Sequence, residues 1–334
     1  MLFLKSKIIL LVIFLMQFCV NKKKNLFDNF NKRVISNSKH SAFPDVVNYK
    51  GIDFLSYRIG NSHADDKGKL KILNLTSGDF IIIEDKSFDL RNAYFLSENS
   101  NLYLYCSVYD YINHSFERVN KYLIKIYDNK FNIELIEEND NLHQVYHPFN
   151  KNLGSFSKKV NDKWIVYPEK KDSLLMDDEE ISFIQLDDKI LGIGRNHKKA
   201  GLPLLYLEKT NIKWLVKNWC YGKNKVALVS PKLYYYDNKI ILAYTERKIN
   251  YYVNLYRLKI KESEESITKL RFYNSYKDII NCNSYKNLTI NSGNNIDSGY
   301  PTLLFKKDSI FLYTYEQIEN RISIVERKIN INNY

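Results

Sequence analysis

Histidine and cysteine are the residues best suited to bind a metal ion, and their spacing in this chain argues against such a site. The 334 residues include six histidines and four cysteines. Beyond Cys19, the cysteines lie far apart, at Cys106, Cys220 and Cys282, whereas zinc sites need close pairs of ligands. We therefore expect no metal and no cofactor. An odd count argues against a disulfide framework, and the apolar strand pattern around Cys106 favours a buried thiol.

Arginines at the ends of apolar strands form a second group with chemical potential. Arg58 and Arg195 close two segments of alternating apolar and polar residues, DVVNYKGIDFLSYR (45–58) and ISFIQLDDKILGIGR (181–195). Such alternation predicts β-strands. An arginine held at the end of such a strand must either pair with a carboxylate or bind a ligand, and the sequence leaves both alternatives open.

The same hairpin pattern occurs six times. The six hairpins are 45–58, 94–107, 155–167, 181–195, 232–247 and 302–316. A further pair of strands follows most copies, and four strands per unit, repeated radially, predict an all-β, six-bladed β-propeller. The short interval between Asp162 and Asp187 predicts that the third blade is truncated or irregular.

The overall composition agrees with a folded β protein. Apolar residues make up 45% and charged residues 26% of the chain, which excludes a disordered, a collagen-like and a polytopic membrane protein. The 27 tyrosines and 18 phenylalanines outnumber the 11 glycines and 6 prolines, a balance that favours strands. The net charge of +12 indicates either a solvated surface or an anionic partner. Because the charge is diffuse, we expect no nucleic-acid partner.

The N-terminal residues predict export. Lys5 and Lys7 precede an apolar run from Ile8 to Val20. This run is shorter than the roughly 20 residues that span a bilayer, but it matches the core of a signal peptide. We therefore expect a secreted, cell-surface or periplasmic protein that touches the membrane only through its N-terminal segment.

Three segments follow from this interpretation. Residues 1–20 are the signal, 21–36 a polar basic tether, and 37–334 a single domain that we expect to be a monomer. Cys19 stands where a bacterial lipoprotein carries its lipidated cysteine, but Phe18 precedes it where a small residue is expected. A lipid anchor at Cys19 and an ordinary signal peptide both remain open.

Residues 40–76 (HSAFPDVVNYKGIDFLSYRIGNSHADDKGKLKILNLT) resemble the first blade of the bacterial sialidase-like propellers, whose repeats are called BNR or Asp-box repeats. Residues 179–195, 230–247 and 298–316 resemble the fourth, fifth and sixth blades of that family. The resemblance covers roughly 37–330. It implies a protein that recognises, and in its catalytic form hydrolyses, a terminal sialic-acid-type sugar of glycoconjugates.

The resemblance also implies a mechanism. A sialidase substrate carries a carboxylate beside its anomeric carbon, and the family holds that group with three arginines. A tyrosine activated by a glutamate is the nucleophile, and an aspartate is the acid/base. In this sequence Tyr300 of SGYP matches the nucleophile and Glu180 matches its activator. Asp65 or Asp66, in the loop after Arg58, matches the acid/base.

The substrate-binding residues are carried over in the same way. Arg195 matches the second clamp arginine, Arg247 is the candidate for the third, and Arg58 is the candidate to replace the first. Glu316 matches the glutamate that steadies the first clamp arginine.

Two histidines of the first blade, His40 and His63, are candidates for a hydrogen bond to a sugar hydroxyl or for proton transfer. The other four histidines are interpreted as surface or loop residues: His114, His143, His147 and His197.

Two departures from the family pattern support a second hypothesis, a non-catalytic surface propeller that binds a glycan or a protein. The first blade of sialidases carries an Arg-Ile-Pro motif, and this chain has Ala42, Phe43 and Pro44 there. The Asp-box motif survives only in degraded form, at 76–79 and 208–214.

Overall fold

The computed structural model describes residues 31–140 except 64, 66 and 129, the strands between 144 and 293 with the turn at 237–238, and residues 298–330. Between 144 and 293, it describes side chains only at 180, 182–184, 229–238, 240–245 and 255. The predicted signal at 1–20, with Cys19, lies outside the described residues.

The regular elements of the described chain are 24 β-strands in five sheets, so the all-β prediction is confirmed. Four of these sheets contain four consecutive strands. They are β6 (Asp89–Glu98), β7 (Asn101–Asp110), β8 (Ser115–Tyr127) and β9 (Lys130–Asn139); β10 (Gln144–Phe149), β11 (Leu153–Val160), β12 (Lys163–Glu169) and β13 (Asp172–Met176); β14 (Glu179–Leu186), β15 (Lys189–Arg195), β16 (Leu204–Thr210) and β17 (Lys213–Asn218); and β18 (Ala227–Tyr236), β19 (Lys239–Arg247), β20 (Tyr251–Leu258) and β21 (Leu288–Gly293). None of the residues that the structure describes belongs to a helix that could cross a membrane.

The fifth sheet has eight strands and joins the two ends of the described chain. Its strands are β1 (Lys32–Val34), β2 (His40–Tyr49), β3 (Ile52–Gly60), β4 (Lys69–Asn74), β5 (Phe80–Ile83), β22 (Gly299–Lys306), β23 (Ser309–Ile318) and β24 (Arg321–Asn330). Their order is β22-β23-β24-β2-β3-β4-β5, and β1, which lies off this path, also pairs with β24.

Strand β1 corrects the predicted tether, because residues 32–34 are part of a sheet. Its backbone pairs with β24 in an antiparallel ladder. Arg33 forms an ion pair of 2.9 Å with Glu326, and Lys32 one of 3.4 Å with Glu316. Two of the basic residues that suggested a solvated tether, Lys32 and Arg33, are therefore paired with acidic residues of the last two strands.

The predicted truncation of the third unit is wrong, because the β10–β13 sheet has four strands like its neighbours. The hairpin at 155–167 supplies β11 and β12, which are the second and third strands of this sheet. The first strand, β10, was not recognised in the sequence. Its pairing with β11 shifts register between Tyr146 and Phe149, so its apolar and polar residues do not alternate regularly.

This register shift recurs in six strands and is the main irregularity of the fold. In β2, β6, β10, β14, β18 and β22, two residues are skipped in the pairing with the following strand. The skipped pairs are Phe43-Pro44, Asn92-Ala93, His147-Pro148, Glu180-Ile181, Ser230-Pro231 and Tyr300-Pro301. Proline is tolerated at bulges because it has no N–H to donate to the ladder. Four of the six prolines in the chain stand in these pairs.

These same six strands contact one another in chain order, and β22 contacts β2. The apolar core lies between the faces of neighbouring sheets. One cluster packs Phe54 and Leu70 against Leu104 and Cys106, which confirms the prediction of a buried Cys106. Burial raises the pKa of this thiol. Packing of this kind holds the ends of the six strands at a fixed separation.

One of the degraded Asp boxes, residues 76–79, forms the turn between β4 and β5. Asn74 Oδ1 accepts the backbone N–H of Thr76 at 2.9 Å, and the Ser77 hydroxyl donates to Asp79 Oδ2 at 2.9 Å. Gly78 adopts a φ of 85°, which glycine reaches without strain. The motif thus has a local role in closing an outer hairpin.

Candidate functional site

Tyr300 and Glu180 are in direct contact. The Tyr300 hydroxyl donates a hydrogen bond of 2.7 Å to Glu180 Oε1. The other carboxylate oxygen, Oε2, accepts the backbone N–H of Ser230 at 2.7 Å. The backbone N–H of Tyr300 donates to Thr245 Oγ1 at 2.9 Å. Both members of the pair are therefore held in place by neighbouring strands.

The bulges explain how strand residues come to meet in this way. Glu180, Ser230 and Tyr300 occupy the bulges of β14, β18 and β22, with φ values of 50°, 49° and 51°. A bulge with a left-handed residue turns a side chain away from the direction that regular pleating would give it. Residues with such backbone geometry often occur at functional sites, where the surrounding structure holds the strain.

A buried ion pair lies beside the contact between Tyr300 and Glu180. Lys232 Nζ lies 3.4 Å from Asp45 Oδ1, and the Thr302 hydroxyl donates to the same oxygen at 3.1 Å. Burial lowers the pKa of Lys232, and the Asp45 carboxylate opposes that effect, as does the charge of Glu180 to a smaller degree. The sequence analysis did not identify this pair, which links β2, β18 and β22.

Phe43 provides an aromatic wall next to the nucleophile candidate. Its ring centre lies 5.0 Å from that of Tyr300 and 5.7 Å from that of Tyr315, both nearly edge-to-face. Phe43 has a φ of 55° and is 6% exposed, and Ala42 is fully buried. Aromatic and aliphatic groups therefore occupy the position at which the resemblance implies an arginine.

The two histidine candidates are neighbours. The rings of His40 and His63 are 5.8 Å apart and nearly perpendicular, and His63 also lies 5.4 Å from the ring of Phe43. His40 is buried and His63 is exposed. Of these two, His63 is therefore the one that a ligand can reach.

The Arg58 side chain is surrounded by hydrogen-bond partners from the protein itself. Its side chain is fully buried and its Nε donates to Asp89 Oδ1 at 2.7 Å. The remaining nitrogens donate to the carbonyl oxygens of Ser62 at 2.9 Å and Asp65 at 3.2 Å. Of the two alternatives that the sequence left open, pairing with a carboxylate is the one observed. We therefore correct the expectation that Arg58 binds substrate.

Asp65 also stabilises its own loop. Its Oδ2 accepts the backbone N–H of Asn61 at 2.5 Å and its Oδ1 accepts that of Lys67 at 3.2 Å. These bonds close the loop between β3 and β4. Asp66, the other acid/base candidate, lies outside the described residues.

Arg91 is a site residue that the sequence analysis missed. Its Nε donates to Asp89 Oδ2 at 2.5 Å, and its Nη2 contacts both the carbonyl oxygen of His63 and the Tyr111 hydroxyl. The guanidinium carbon lies 5.8 Å from the ring centre of Phe43. Arg91 lies directly before the bulge of β6 and not at the end of a hairpin, which is where the sequence pattern indicates candidate arginines.

Glu316 binds Arg327, which is not one of the predicted clamp arginines. Two guanidinium nitrogens of Arg327 contact its carboxylate, one of them at 2.8 Å, and the Thr314 hydroxyl donates at 2.7 Å. Burial alone would raise the pKa of Glu316. The bonds from Arg327 and Thr314 and the charge of Lys32 outweigh burial, so the pKa lies below its ordinary value.

Arg195 and Arg247 are placed only by their backbone. Arg195 pairs with Glu179 across β14 and β15, and Arg247 pairs with Ala227 across β18 and β19. Their side chains lie outside the described part of the structure. In the residues whose side chains are described, no group of three or more His, Cys, Asp or Glu is arranged to hold a metal ion.

Comparison by sequence finds no relative, since neither a family model nor a curated protein matches this chain. Comparison by structure does. Trypanosoma rangeli sialidase, in complex with 2,3-difluorosialic acid as a covalent intermediate, matches with a TM-score of 0.54 and 10% identity over 91% of this chain. The fold is sialidase-like. The chain spans 58% of the length of that sialidase.

Two other solved structures match over most of their own length. A Dyadobacter fermentans protein of unknown function gives a TM-score of 0.62 at 12% identity, covering 90% of this chain and 98% of that one. A mutant of AofleA from Arthrobotrys oligospora, in which three arginines are replaced by alanine, gives 0.50 at 8% identity, covering 90% and 87%. At these identities the similarity establishes the fold and leaves the activity to the residues of the site.

Proposed function

We propose that this protein is an exported glycoside hydrolase that removes a terminal, sialic-acid-type sugar with retention of configuration. The observation that carries the proposal is the 2.7 Å hydrogen bond from the Tyr300 hydroxyl to Glu180. A tyrosine hydroxyl is a weak nucleophile unless an adjacent base accepts its proton. Glu180 is in position to accept it, and the N–H of Ser230 keeps the carboxylate directed at the hydroxyl.

The choice of nucleophile suggests an anionic sugar. A carboxylate nucleophile would be repelled by a substrate that carries its own carboxylate beside the anomeric carbon, whereas a neutral tyrosine is not. Arg91 lies within the same group of residues, and Arg195 and Arg247 end strands whose pairing partners precede the bulges of β14 and β18. In this proposal these arginines bind the anionic group, since guanidinium has a fixed charge and bidentate geometry.

In the proposed propeller, these groups converge at one end of a central channel. In our proposal the eight-stranded sheet comprises two blades, β2–β5 and β22–β24 completed by β1. They are joined only by the single parallel pair between His40 and Ile322. With the four other sheets this gives six blades, whose first strands surround a central channel, and the bulges lie at one of its ends.

The proposal is tested by release of 4-methylumbelliferone from its α-sialoside by the chain from Asn21 onward. Tyr300→Phe should lose activity by several orders of magnitude while its thermal unfolding remains close to that of the unchanged protein. Tyr127→Phe is the matched control, because Tyr127 is exposed at 58% on β8, and it should keep full activity. Equal activity in the Tyr300→Phe variant would contradict the proposal.

A second candidate function, non-catalytic binding of a glycan or protein, is favoured by one observation. Ala42 and Phe43 stand at the position of the first clamp arginine, and Arg58 is sequestered by Asp89 and does not replace it. If the unchanged protein releases no fluorophore but binds sialylated glycans on an array, this second function is the correct one. Monomeric state and export, in either case, remain predictions from the sequence.

A further inference from the structure

We propose that His63, rather than Asp65, is the residue that exchanges protons with the leaving group and with water. This inference rests on the proposed glycoside hydrolysis at Tyr300. Retaining hydrolysis needs one group that gives a proton to the departing oxygen and later takes one from water. The loop between β3 and β4 carries two candidates for this task, His63 and Asp65, both among its described residues (61–63, 65, 67 and 68).

The loop is held by an unusual amount of buried charge. Arg58 and Arg91 share one counter-ion, Asp89, which uses one carboxylate oxygen for each of them. The side chains of Arg58 and Asp89 are fully buried and that of Arg91 is 12% exposed. Burying three charged groups is unfavourable unless each is paired and hydrogen-bonded, so the arrangement indicates a geometry that the protein maintains.

The two arginines also donate hydrogen bonds to the backbone of the loop. Arg58 binds the carbonyl oxygens of Ser62 and Asp65. Arg91 binds that of His63, which also accepts a 2.8 Å hydrogen bond from the Tyr111 hydroxyl. Three carbonyl groups, those of Ser62, His63 and Asp65, are thus fixed in the loop that carries the exposed side chain of His63.

Close packing under the loop adds to this constraint. A Cβ atom added to Gly68 would overlap both Asp89 Oδ1 and Arg58 Nε. The chain therefore passes over the ion pair at a distance that only glycine allows. A loop that is anchored this firmly can hold a reactive side chain within the small tolerance that proton transfer requires.

The His63 ring contacts the aromatic neighbour of Tyr300, whereas the Asp65 carboxylate is bound to its own loop. The His63 ring packs against Phe43 at 5.4 Å, and Phe43 packs against Tyr300 at 5.0 Å. Both oxygens of Asp65 accept backbone N–H groups of its own loop, so this carboxylate is engaged in holding the loop. Imidazole, in contrast, gives and takes protons readily near neutral pH.

The proposed reaction has two balanced steps. In the first, Tyr300 Oη bonds to the anomeric carbon and passes its proton to Glu180, while the leaving oxygen takes the electron pair of the broken bond and a proton from His63. In the second, water bonds to the anomeric carbon and gives a proton to His63. The tyrosine oxygen leaves with the electron pair and recovers its proton from Glu180.

The test compares substrates that differ in their need for protonation. His63→Asn should hydrolyse sialyllactose roughly 10²–10⁴-fold more slowly than the unchanged protein. It should lose far less activity on 4-nitrophenyl α-sialoside, whose leaving group departs without a proton. Azide should restore turnover of the aryl sialoside, because it attacks the intermediate without a general base. His114→Asn, a change at an exposed histidine in the turn between β7 and β8, is the control and should behave as the unchanged protein.

Three results would overturn the inference, and they separate it from the proposed function. An equal loss on both substrates that azide does not relieve, in His63→Asn or in a second variant, His63→Gln, would mean a structural role for His63. A selective loss in Asp65→Asn with none in His63→Asn would return the acid/base role to Asp65. If the unchanged protein is inactive on both substrates, the proposed function fails and this inference fails with it.

Discussion

Glu180 and Tyr300 occupy the same position in two different strands and adopt the same backbone conformation, with φ values of 50° and 51°. Each is the first residue of a bulge at which a strand shifts its register with the next one. They are separated by 120 positions in the chain and joined by a hydrogen bond of 2.7 Å. The repeat of the fold thus brings a tyrosine hydroxyl and a carboxylate from two different strands into direct contact.

Gly299 should be one of the most sensitive glycines in the chain. It has a φ of 115°, and an added Cβ would overlap Thr245 Oγ1, the atom that binds the Tyr300 backbone. Gly299→Ala is expected to displace Tyr300, to lower activity strongly, and to destabilise the fold through both strain and overpacking, the latter by about 1–3 kcal/mol. Urea denaturation and fluorophore release measure the two effects.

The control for this variant is Gly78→Ala. Gly78 also has a positive φ, 85°, but nothing lies within 4 Å of an added Cβ. Only the backbone cost of about 1–2 kcal/mol is expected, with full activity. If both variants lost the same stability and kept activity, the close packing between Gly299 and Thr245 would be unimportant.

Arg58→Met should destabilise the protein by about 3–5 kcal/mol, because Asp89 would keep a buried charge with one fewer partner. The matched surface pair is Lys69 with Glu84, whose side chains are 45% and 61% exposed. Glu84→Gln should change stability by less than about 1 kcal/mol. Chemical denaturation of both variants checks the contrast, and similar small effects would argue against a structural role for Arg58.

Glu316 should make stability depend on acidity. Its pKa in the fold lies below the ordinary value of 4.5, so its contribution is fully present above about pH 4.5 and is lost as the pH falls through the lowered value. Glu316→Gln is therefore expected to be less stable than the unchanged protein at pH 7 and to lose less stability below pH 4.5. Thermal unfolding between pH 7 and pH 3 measures this, and parallel curves would contradict it.

Strand β1 should contribute to the stability of the eight-stranded sheet. A chain that begins at residue 36 lacks the ladder with β24 and the ion pairs of Lys32 and Arg33 with Glu316 and Glu326. We expect a lower melting temperature for it than for a chain that begins at residue 31, which keeps them. Equal melting temperatures would show that β1 adds nothing to the stability of the sheet.

The pattern of apolar and polar residues along the chain was sufficient to locate some strands and insufficient to locate others. Apolar strand pairs on either side of a short polar turn located hairpins such as β18–β19 and β22–β23, whose described residues are mostly buried on both faces. It missed β10, whose alternation is interrupted at His147 and Pro148. Proline stands directly before three of the predicted hairpins, at Pro44, Pro231 and Pro301, and this recurrence was the signal that could have revealed the bulges.

By itself, the sequence determined the all-β class, the position of most hairpins and the identity of Tyr300 and Glu180 as a candidate pair. The class and the hairpins follow from local periodicity, and the candidate pair follows from the resemblance of short motifs to those of sialidases. Only the tertiary structure decided which charged groups meet. Arg58 is bound to Asp89, Glu316 to Arg327, and Arg91 to the loop of His63, because ion pairing depends on distances between sheets, and residues far apart in the chain carry no local signal of such contacts.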